Sequence, residues 1–233
     1  MSIVAKREIA IIEDEQVIRD NYIDYLTRQG YTVNGYATRH EALSAFTTTL
    51  PDLVILDIGL ADDMDGGFEL CRELRGRSAT LPIIFLTARD SDFDIVAGLR
   101  LGADDYISKE ISLPHLVARI AALFRRISAM QEQQPQQEPL HRDELKLDRD
   151  RLLADWRGTP LNLTVTEFWM LHALVRHPGH VRSREQLMEE AHIYVDSSSI
   201  TTHIKRIRRK FLGVDPDFAR IDTVYGAGYR WKP

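Results

Sequence analysis

The sequence predicts an α/β fold, a (βα)5 doubly wound parallel sheet, followed by a smaller α+β winged helix-turn-helix domain. Apolar runs at residues 9–12, 53–56 and 83–86, with a weaker one at 106–107, alternate with helix-like segments, a pattern typical of parallel strands buried on both faces. The end of the chain holds two helix-start signatures, a basic amphipathic helix and a glycine-centred hairpin. These observations together predict the fold class.

Length and composition indicate two domains. A chain of 233 residues can build two cores of ordinary size. Residues 131–139 contain Gln, Glu and Pro without an apolar side chain, which favours a flexible linker over an irregular helix extension. We therefore assign residues 1–128 to the first domain, 129–142 to the linker and 143–233 to the second domain.

Several classes of protein are excluded by composition. The single Cys71 excludes an intramolecular disulfide framework, and no apolar stretch approaches the roughly 18 residues of a membrane span. The first residues lack the long apolar segment of a secretory signal, so we expect a cytoplasmic protein. Although the net charge is −5, residues 198–232 hold eight basic and three acidic side chains, which predicts a local basic surface.

The helices of the first domain are predicted at residues 16–29, 39–48, 67–76, 92–101 and 113–128. Because crossovers between parallel strands are right-handed, these helices cover both faces of the sheet. The carboxyl ends of the central strands stay open, and ligands of such sheets bind there.

Polar side chains that could bind a metal ion and a phosphoryl group follow these strands. Glu13 and Asp14 follow the first run and Asp57 the second, while Thr87 and Lys109 follow the later two. Three adjacent carboxylates repel one another, by about 1 kcal/mol per pair at 4 Å in water, and Mg²⁺ would relieve this repulsion. Asp57 could act as a nucleophile toward phosphorus, with the ammonium and hydroxyl groups stabilising the transferred charge. The alternative is a set of solvated acids beside an ordinary surface lysine and a strand-end threonine.

The second domain begins its helices with capping boxes at residues 164–167 and 183–186. A third helix is predicted over residues 198–212, where four apolar side chains form one stripe at 100° per residue: Ile200, Ile204, Ile207 and Phe211. Away from that stripe the helix is polar and basic, with Thr202, Lys205 and Arg209 opposite it, flanked by Arg206 and Arg208.

Two β-prone runs around Gly226 and Gly228 predict a hairpin after this helix. Lysine and arginine neutralise phosphates, and arginine also binds guanine edges. The helices, the hairpin and the basic footprint together predict DNA binding, with a protein-docking module as the alternative.

The first domain resembles the receiver domain of two-component response regulators over about residues 7–128. The resemblance is carried by Glu13-Asp14, Leu56-Asp57, Met64-Asp65-Gly66, Thr87-Ala88 and Gly102-Ala-Asp-Asp-Tyr106 followed by Lys109. It implies that Asp57 accepts a phosphoryl group from a sensor histidine kinase, assisted by Thr87 and Lys109. The Mg²⁺ ligands it implies are Glu13, Asp14, Asp57 and the backbone carbonyl of Gly59.

The resemblance also implies a switch pair, Thr87 and Tyr106, in which the hydroxyl moves toward the phosphoryl group and the ring turns inward.

Two features depart from the family pattern. Glu110 stands where the family usually has proline after the active-site lysine, and the segment from Asp57 to Gly66 is one residue longer than expected. Asp62 or Asp63 could therefore approach the cation.

The second domain resembles the effector domain of the OmpR/PhoB class over about residues 143–232. The resemblance is carried by the segments 163–168, 183–187, 203–210 and 223–230. It implies a small sheet over residues 144–161, a recognition helix in the major groove and a wing at the minor groove. Arg206 corresponds to a base contact, Arg208 to a phosphate contact, Ser199 to a phosphate-contacting hydroxyl and Tyr225 to a wing position. The predicted DNA-binding residues are Ser199, Thr202, Lys205, Arg206, Arg208, Arg209, Tyr225 and Arg230.

Family resemblance further implies a homodimer after phosphorylation, with Asp105 and Arg119 at an intersubunit ion-pair position. The overall prediction is a phosphorylation-dependent transcription regulator that binds promoter DNA, with RNA polymerase as a further candidate partner and no enzymatic role beyond its own phosphorylation. One rival is a phosphorylation-independent regulator, which Glu110 and the longer loop favour. The other is an Asp-nucleophile phosphatase, although Gly59 stands where such enzymes carry a second acid.

Overall fold

The computed structural model describes residues 6–61, 63–128, 139–190 and 197–233. The chain divides along the sequence into two compact units, the first ending at Arg119 and the second beginning at Ile120, and each unit is described by itself. This limit falls inside a helix, Leu113–Ser128, so the domain limits of residues 128 and 143 stay a prediction. Residues 129–138 of the predicted linker lie outside the described residues.

The first unit confirms the predicted doubly wound sheet. Its parallel strands are ordered β2-β1-β3-β4-β5. The strands are β1 (Glu8–Ile12), β2 (Thr32–Tyr36), β3 (Leu53–Leu56), β4 (Ile83–Thr87) and β5 (Asp105–Ser108). The helices are α1 (Gln16–Arg28), α2 (Arg39–Ala45), α3 (Gly66–Arg77), α4 (Asp92–Leu101) and α5 (Leu113–Ser128). Because β1, β3 and β4 are central, their apolar runs are buried on both faces.

Local sequence sets the ends of these helices. Thr38 caps α2 by accepting from the N–H of Glu41, and Ser91 caps α4 by accepting from that of Asp94. Gly102 ends α4 with φ of 122°, a conformation that L side chains rarely adopt. The predicted position of α4 agrees with the structure, whereas α2 ends at Ala45, earlier than predicted.

The second unit has the predicted winged-helix architecture. A four-stranded antiparallel sheet is followed by three helices and a two-stranded hairpin. The strands are β6 (Leu140–Arg142), β7 (Leu145–Asp148), β8 (Leu153–Trp156), β9 (Thr159–Leu161), β10 (Ile221–Val224) and β11 (Gly228–Trp231). The helices are α6 (Val165–Arg176), α7 (Arg184–Glu190) and α8 (Ser197–Leu212). The sheet starts at Leu140, so it is longer than the predicted 144–161 and uses part of the predicted linker.

An aromatic core joins the sheet, α8 and the hairpin of the second unit. Trp156 contacts Phe211, Phe218 and Trp231 edge-on, and Phe211 stacks on Phe218 with 4.0 Å between ring centroids. Both predicted capping boxes form, at Thr164 with Glu167 and at Ser183 with Gln186. None of the described helices is long and apolar enough to cross a membrane.

Candidate functional site

The ends of β1 and β3 bring three carboxylates together. Ile12 pairs with Leu56 across these strands, so the residues that follow each strand emerge at one edge. Glu13, Asp14 and Asp57 each offer an oxygen atom, and these atoms lie within 4.8 Å of one another. Among the described residues they form the one acidic group that could hold a metal ion. The structure therefore brings the three predicted acids into one site.

Lys109 lies inside this cluster. Its Nζ atom is 2.6 Å from Oδ2 of Asp57 and 2.7 Å from Oε2 of Glu13. Its backbone N–H donates to the carbonyl of Thr87 at 2.9 Å, which fixes the chain beyond β5 beside β4. Glu110 in the place of proline therefore does not displace the ammonium group from the carboxylates.

For both Glu13 and Lys109, burial and the nearby opposite charge shift the pKa in opposite directions. Burial raises the pKa of Glu13, and the nearby ammonium of Lys109 only partly offsets this effect. Burial would lower the pKa of Lys109, but hydrogen bonds and attraction to Asp57 and Glu13 outweigh it, so that pKa is raised. Lys109 is therefore charged at neutral pH and can stabilise negative charge beside Asp57.

The donor set fits a hard divalent cation, because it consists of oxygen atoms with excess negative charge. Oδ1 of Asp57 accepts from the N–H of Ile58 at 2.6 Å, and Oδ2 of Asp14 accepts from that of Ala61 at 3.0 Å. Gly59 lies in the loop between these two amides. Asp63 is not part of the metal-ligating group, and Asp62 lies outside the described residues.

The loop between β3 and α3 closes through a tight turn. Leu60 and Asp63 exchange two backbone hydrogen bonds, each 3.0 Å long. Ala61, within this turn, has φ of 53°, which is uncommon for a residue with a Cβ atom. The amide of Ala61 reaches Asp14 from this turn, so the turn contributes a hydrogen bond to the acidic site.

The predicted switch residues lie at the next strand ends. Thr87 is buried at the end of β4, and Tyr106 is half-buried in β5 with its ring centroid 5.9 Å from that of Phe85. The hydroxyl of Tyr106 donates to the carbonyl of Arg89 at 2.5 Å, and the N–H of Arg89 donates to Oγ1 of Thr87 at 3.3 Å. Both side chains therefore bind the backbone of one residue.

The predicted dimer residues contact each other within the chain. Nη1 of Arg119 lies 2.9 Å from Oδ2 of Asp105. An ion pair with a second copy would have to replace or share this pair, and the intersubunit pair stays a prediction.

The predicted DNA contacts divide into exposed and buried groups. Lys205 and Arg209 are exposed on α8, and Tyr225 in the hairpin turn is 95% exposed. Ser199, Thr202 and Arg206 are buried. The apolar stripe predicted from the sequence did not indicate that these three side chains are buried, because the buried surface of α8 extends well beyond the four apolar residues. DNA contacts from Ser199, Thr202 and Arg206 stay a prediction. Each of these contacts requires a more exposed side chain than the structure shows.

Arg206 belongs to a buried ionic cluster with Glu167 of α6. Nε of Arg206 lies 3.0 Å from Oε1 of Glu167, and Lys210 binds the other oxygen of the same carboxylate. The two cations lower the pKa of Glu167 although burial acts in the opposite direction. This cluster joins α8 to α6 and was missed from the sequence, where Glu167 was interpreted only as part of a capping box.

Two further predicted contacts hold the hairpin. Arg208 donates to the carbonyl of Ile221 at 3.0 Å and to Oγ1 of Thr223 at 2.8 Å, and Arg230 pairs with Asp222 at 3.0 Å. A cleft of about 280 Å³ lies between α7, α8 and the hairpin, lined by hydroxyl groups and by Arg184, Lys205 and Arg208. Arg184 was missed because it follows a helix cap and belongs to no charge run.

Comparisons with known proteins cover both units. Residues 9–121 match the family model for the response regulator receiver domain, and residues 158–231 match the model for the C-terminal domain of transcriptional regulatory proteins. The chain is 37% identical over 229 residues to the transcriptional regulatory protein CreB of Escherichia coli (strain K12), covering 96% of this chain and 97% of CreB. It is 39% identical over 229 residues to BaeR of Escherichia coli O6:H1, covering 96% and 92% of the two chains.

Solved structures extend the likeness over the whole chain. A mutant of RitR matches with a TM-score of 0.72 at 26% identity, covering 97% of this chain and 99% of that one. DrrB, an OmpR/PhoB homologue from Thermotoga maritima, matches with a TM-score of 0.50 at 27% identity, covering 98% and 100%. The agreement therefore includes both units and their order along the chain.

Proposed function

Because this chain belongs to the OmpR/PhoB class of two-component response regulators, we propose that it is a transcription regulator controlled by phosphorylation of Asp57. The observation that carries the proposal is the contact of Asp57 with Lys109 at 2.6 Å inside the acidic group. Membership of the class implies a histidine kinase as phosphoryl donor and DNA as ligand.

In the proposed step an oxygen of Asp57 attacks the phosphorus atom of a phosphohistidine on the kinase. The new O–P bond forms as the P–N bond breaks, and the leaving imidazole nitrogen keeps the electron pair of that bond. Asp57 is 9% exposed, so one edge of its carboxylate can meet a donor while the rest is held by the N–H of Ile58 and by Lys109.

Cations and hydroxyl donors around Asp57 would stabilise the transferred charge. Lys109 supplies a fixed ammonium group, and Thr87 supplies a buried hydroxyl at the end of the neighbouring strand. Glu13, Asp14, Asp57 and the carbonyl of Gly59 would hold Mg²⁺, which supplies further positive charge at the phosphoryl oxygens.

Phosphorylation would then control how the second unit binds promoter DNA. Self-association through the face that holds Asp105 and Arg119 would place two basic helices on one repeated site. The exposed Lys205, Arg209 and Tyr225 are the described side chains best able to meet a duplex without rearrangement. RNA polymerase is a further proposed partner at such a promoter.

The test is a phosphate-affinity gel after incubation with acetyl phosphate and Mg²⁺. We expect a shifted band for the wild type and none for Asp57→Asn. Asp92→Asn, an exposed acid in the first turn of α4, is the matched control and should shift like the wild type. A shifted band that persists in Asp57→Asn would contradict the proposed phosphoacceptor.

The second candidate is a regulator that works without phosphorylation. It is favoured by Glu110 after the active-site lysine and by the lengthened loop with positive φ at Ala61. For this candidate the gel shows no Asp57-dependent band, and DNA affinity is the same before and after acetyl phosphate treatment.

A further inference from the structure

Arg89 occupies a junction between the loop that follows β3, the first turn of α4 and the two switch residues. Its side chain lines a groove of about 410 Å³ between α3 and α4. Its backbone contacts Thr87 and Tyr106, as described above. No part of the proposed phosphorylation chemistry requires an arginine at this position.

The guanidinium of Arg89 binds two carboxylates on different elements. Nη1 lies 3.0 Å from Oδ1 of Asp65, immediately before α3, and Nη2 donates to Oδ1 of Asp94 in α4. Nη1 also lies 3.2 Å from the carbonyl of Met64, and the guanidinium carbon is 5.6 Å from the ring centre of Phe68. The planar guanidinium can bind several groups at fixed angles, which a lysine cannot do.

Asp94 is a firm anchor for this arginine. It is buried, and its other carboxylate oxygen accepts from the hydroxyl of Ser91 at 2.5 Å. That hydroxyl, together with Arg89, keeps the pKa of Asp94 below its usual range although burial opposes this. The ion pair with Arg89 is therefore made to a charged, immobilised carboxylate at neutral pH.

The backbone of Arg89 is held at the point where both switch side chains meet it. Tyr106 reaches the carbonyl of Arg89 because its ring lies over Gly98, where a Cβ atom would come within 3.0 Å of that ring. Burial, with the negative charge of Asp94, raises the pKa of Tyr106, so its hydroxyl remains a hydrogen-bond donor. A displacement of Arg89 removes the acceptor from this hydroxyl.

From these contacts we propose that Arg89 is a positioning residue of the switch. Its two ion pairs hold the loop between β4 and α4. In this position the N–H of Arg89 donates to Thr87 while its carbonyl accepts from Tyr106. The effect of phosphorylation at Asp57 is then transmitted to the Tyr106 ring through this loop. This inference rests on the proposed phosphorylation of Asp57, but the arrangement of the loop can be tested without it.

The experiment compares Arg89→Ala, Arg89→Lys and Arg72→Ala in the full chain. Arg72 lines the same groove, and among the described residues its one ion pair is with Glu69 on its own helix, which makes it a matched control. The readout is the rate of nitration of each tyrosine by tetranitromethane, resolved by mass spectrometry, with and without acetyl phosphate and Mg²⁺. Tyr22, buried in α1, reports general loosening of the fold.

In unmodified protein we expect Arg89→Ala to raise nitration of Tyr106 about fivefold while Tyr22 is unchanged. Acetyl phosphate should change the Tyr106 rate in the wild type and in Arg72→Ala, but not in Arg89→Ala. Arg89→Lys should be intermediate, since it keeps the charge but loses the forked geometry. The gel band at Asp57 should remain in every variant.

The inference is overturned if Tyr106 responds to acetyl phosphate equally in Arg89→Ala and the wild type, or if Arg72→Ala behaves like Arg89→Ala. Equal nitration increases at Tyr22 and Tyr106 also overturn it, because they indicate general loosening. A wild type without a gel band contradicts the proposed function instead. In that case the nitration rates of unmodified protein still decide whether Arg89 positions Tyr106.

Discussion

Arg75 and Asp104 form a buried ion pair that joins the last turn of α3 to the start of β5, with Nη2 of Arg75 2.8 Å from Oδ2 of Asp104. The same guanidinium donates to the carbonyl of Gly102 at 2.8 Å. Oδ2 of Asp104 also accepts from the N–H of Ile83 at 3.1 Å. The pair therefore ties α3, β4 and β5 together at the amino ends of the strands, away from the acidic site.

Replacement of Arg75 by leucine should strongly destabilise the first unit. It leaves the buried Asp104 carboxylate without its cation, which typically costs about 3–5 kcal/mol. Urea unfolding followed by far-ultraviolet circular dichroism measures the loss. The exposed Arg72→Ala should change stability by less than about 1 kcal/mol, and a similar effect of the two substitutions would show that the buried pair is not responsible.

Glu167 should make the second unit sensitive to acid. Its folded-state pKa is lowered from 4.5, chiefly by Arg206 and Lys210 acting against burial. A lowered folded pKa contributes stability that is present above pH 4.5 and is lost as the pH falls through the folded-state value. Glu167→Gln should therefore be less stable than the wild type at neutral pH, by about 3 kcal/mol, and should lose less stability on acidification.

Tryptophan fluorescence isolates this effect, because all three tryptophans lie in the second unit. Urea unfolding at pH 7 and at pH 4 gives the free energies to compare. Glu189→Gln, an exposed glutamate of α7, is the control and should follow the wild type. Parallel pH curves for Glu167→Gln and the wild type would show that Glu167 is not the acid-sensitive group.

Gly67 should be essential for the geometry of Asp57. A Cβ atom on Gly67 would lie 1.9 Å from the carbonyl oxygen of Asp57 and 2.8 Å from Cα of Ile58. Gly67→Ala must therefore displace the backbone of Asp57, the proposed phosphoacceptor, and a displacement of about 1 Å can reduce a reaction rate about 100-fold. The initial rate of band formation with acetyl phosphate measures this loss.

Gly76→Ala is the matched control for that substitution. Gly76 lies in the same helix, α3, but a Cβ atom there would meet nothing within 4 Å. We expect its phosphorylation rate to stay within about threefold of the wild type. Equal rates for Gly67→Ala and the wild type would mean that the close approach of α3 does not determine the position of Asp57.

Lys205 and Arg209 should contribute phosphate contacts rather than stability, because both side chains are exposed on α8. Removal of one phosphate contact lowers the slope of log affinity against log salt by about 0.9. Lys205→Ala and Arg209→Ala should each show this change in fluorescence anisotropy with a promoter fragment. Arg151→Ala, an exposed cation in the turn between β7 and β8, should keep the wild-type slope.

The sheet could be predicted where burial leaves a continuous signal. Residues 9–12, 53–56 and 83–86 all lie in the predicted strands, because both faces of a central parallel strand must be apolar. Strand β2 gave no such run, since it lies at the sheet edge and its residues are largely exposed or half-buried. The acidic site followed from strand ends alone, because parallel topology brings those ends to one edge.

The side-chain contacts of α8 could not be predicted in the same way. The spacing of Ile200, Ile204, Ile207 and Phe211 located one packed stripe but said nothing of the neighbouring α6. Glu167 of α6 binds Arg206, so that a residue expected at a base edge lies inside the unit. Helical periodicity describes one helix, whereas burial depends on every element that packs against it.

The sequence by itself determined the architecture and the acidic site, since hydrophobic pattern and strand direction are properties of the chain that act locally or through simple topology. Only the tertiary structure decided which basic residues face solvent and which residue contacts both Thr87 and Tyr106. Contacts such as Arg89 with Asp65 and Asp94 form between segments that pack together after folding. The strength of these contacts depends on the distance between the groups and on their burial. Neither can be read from the identity of the residues alone.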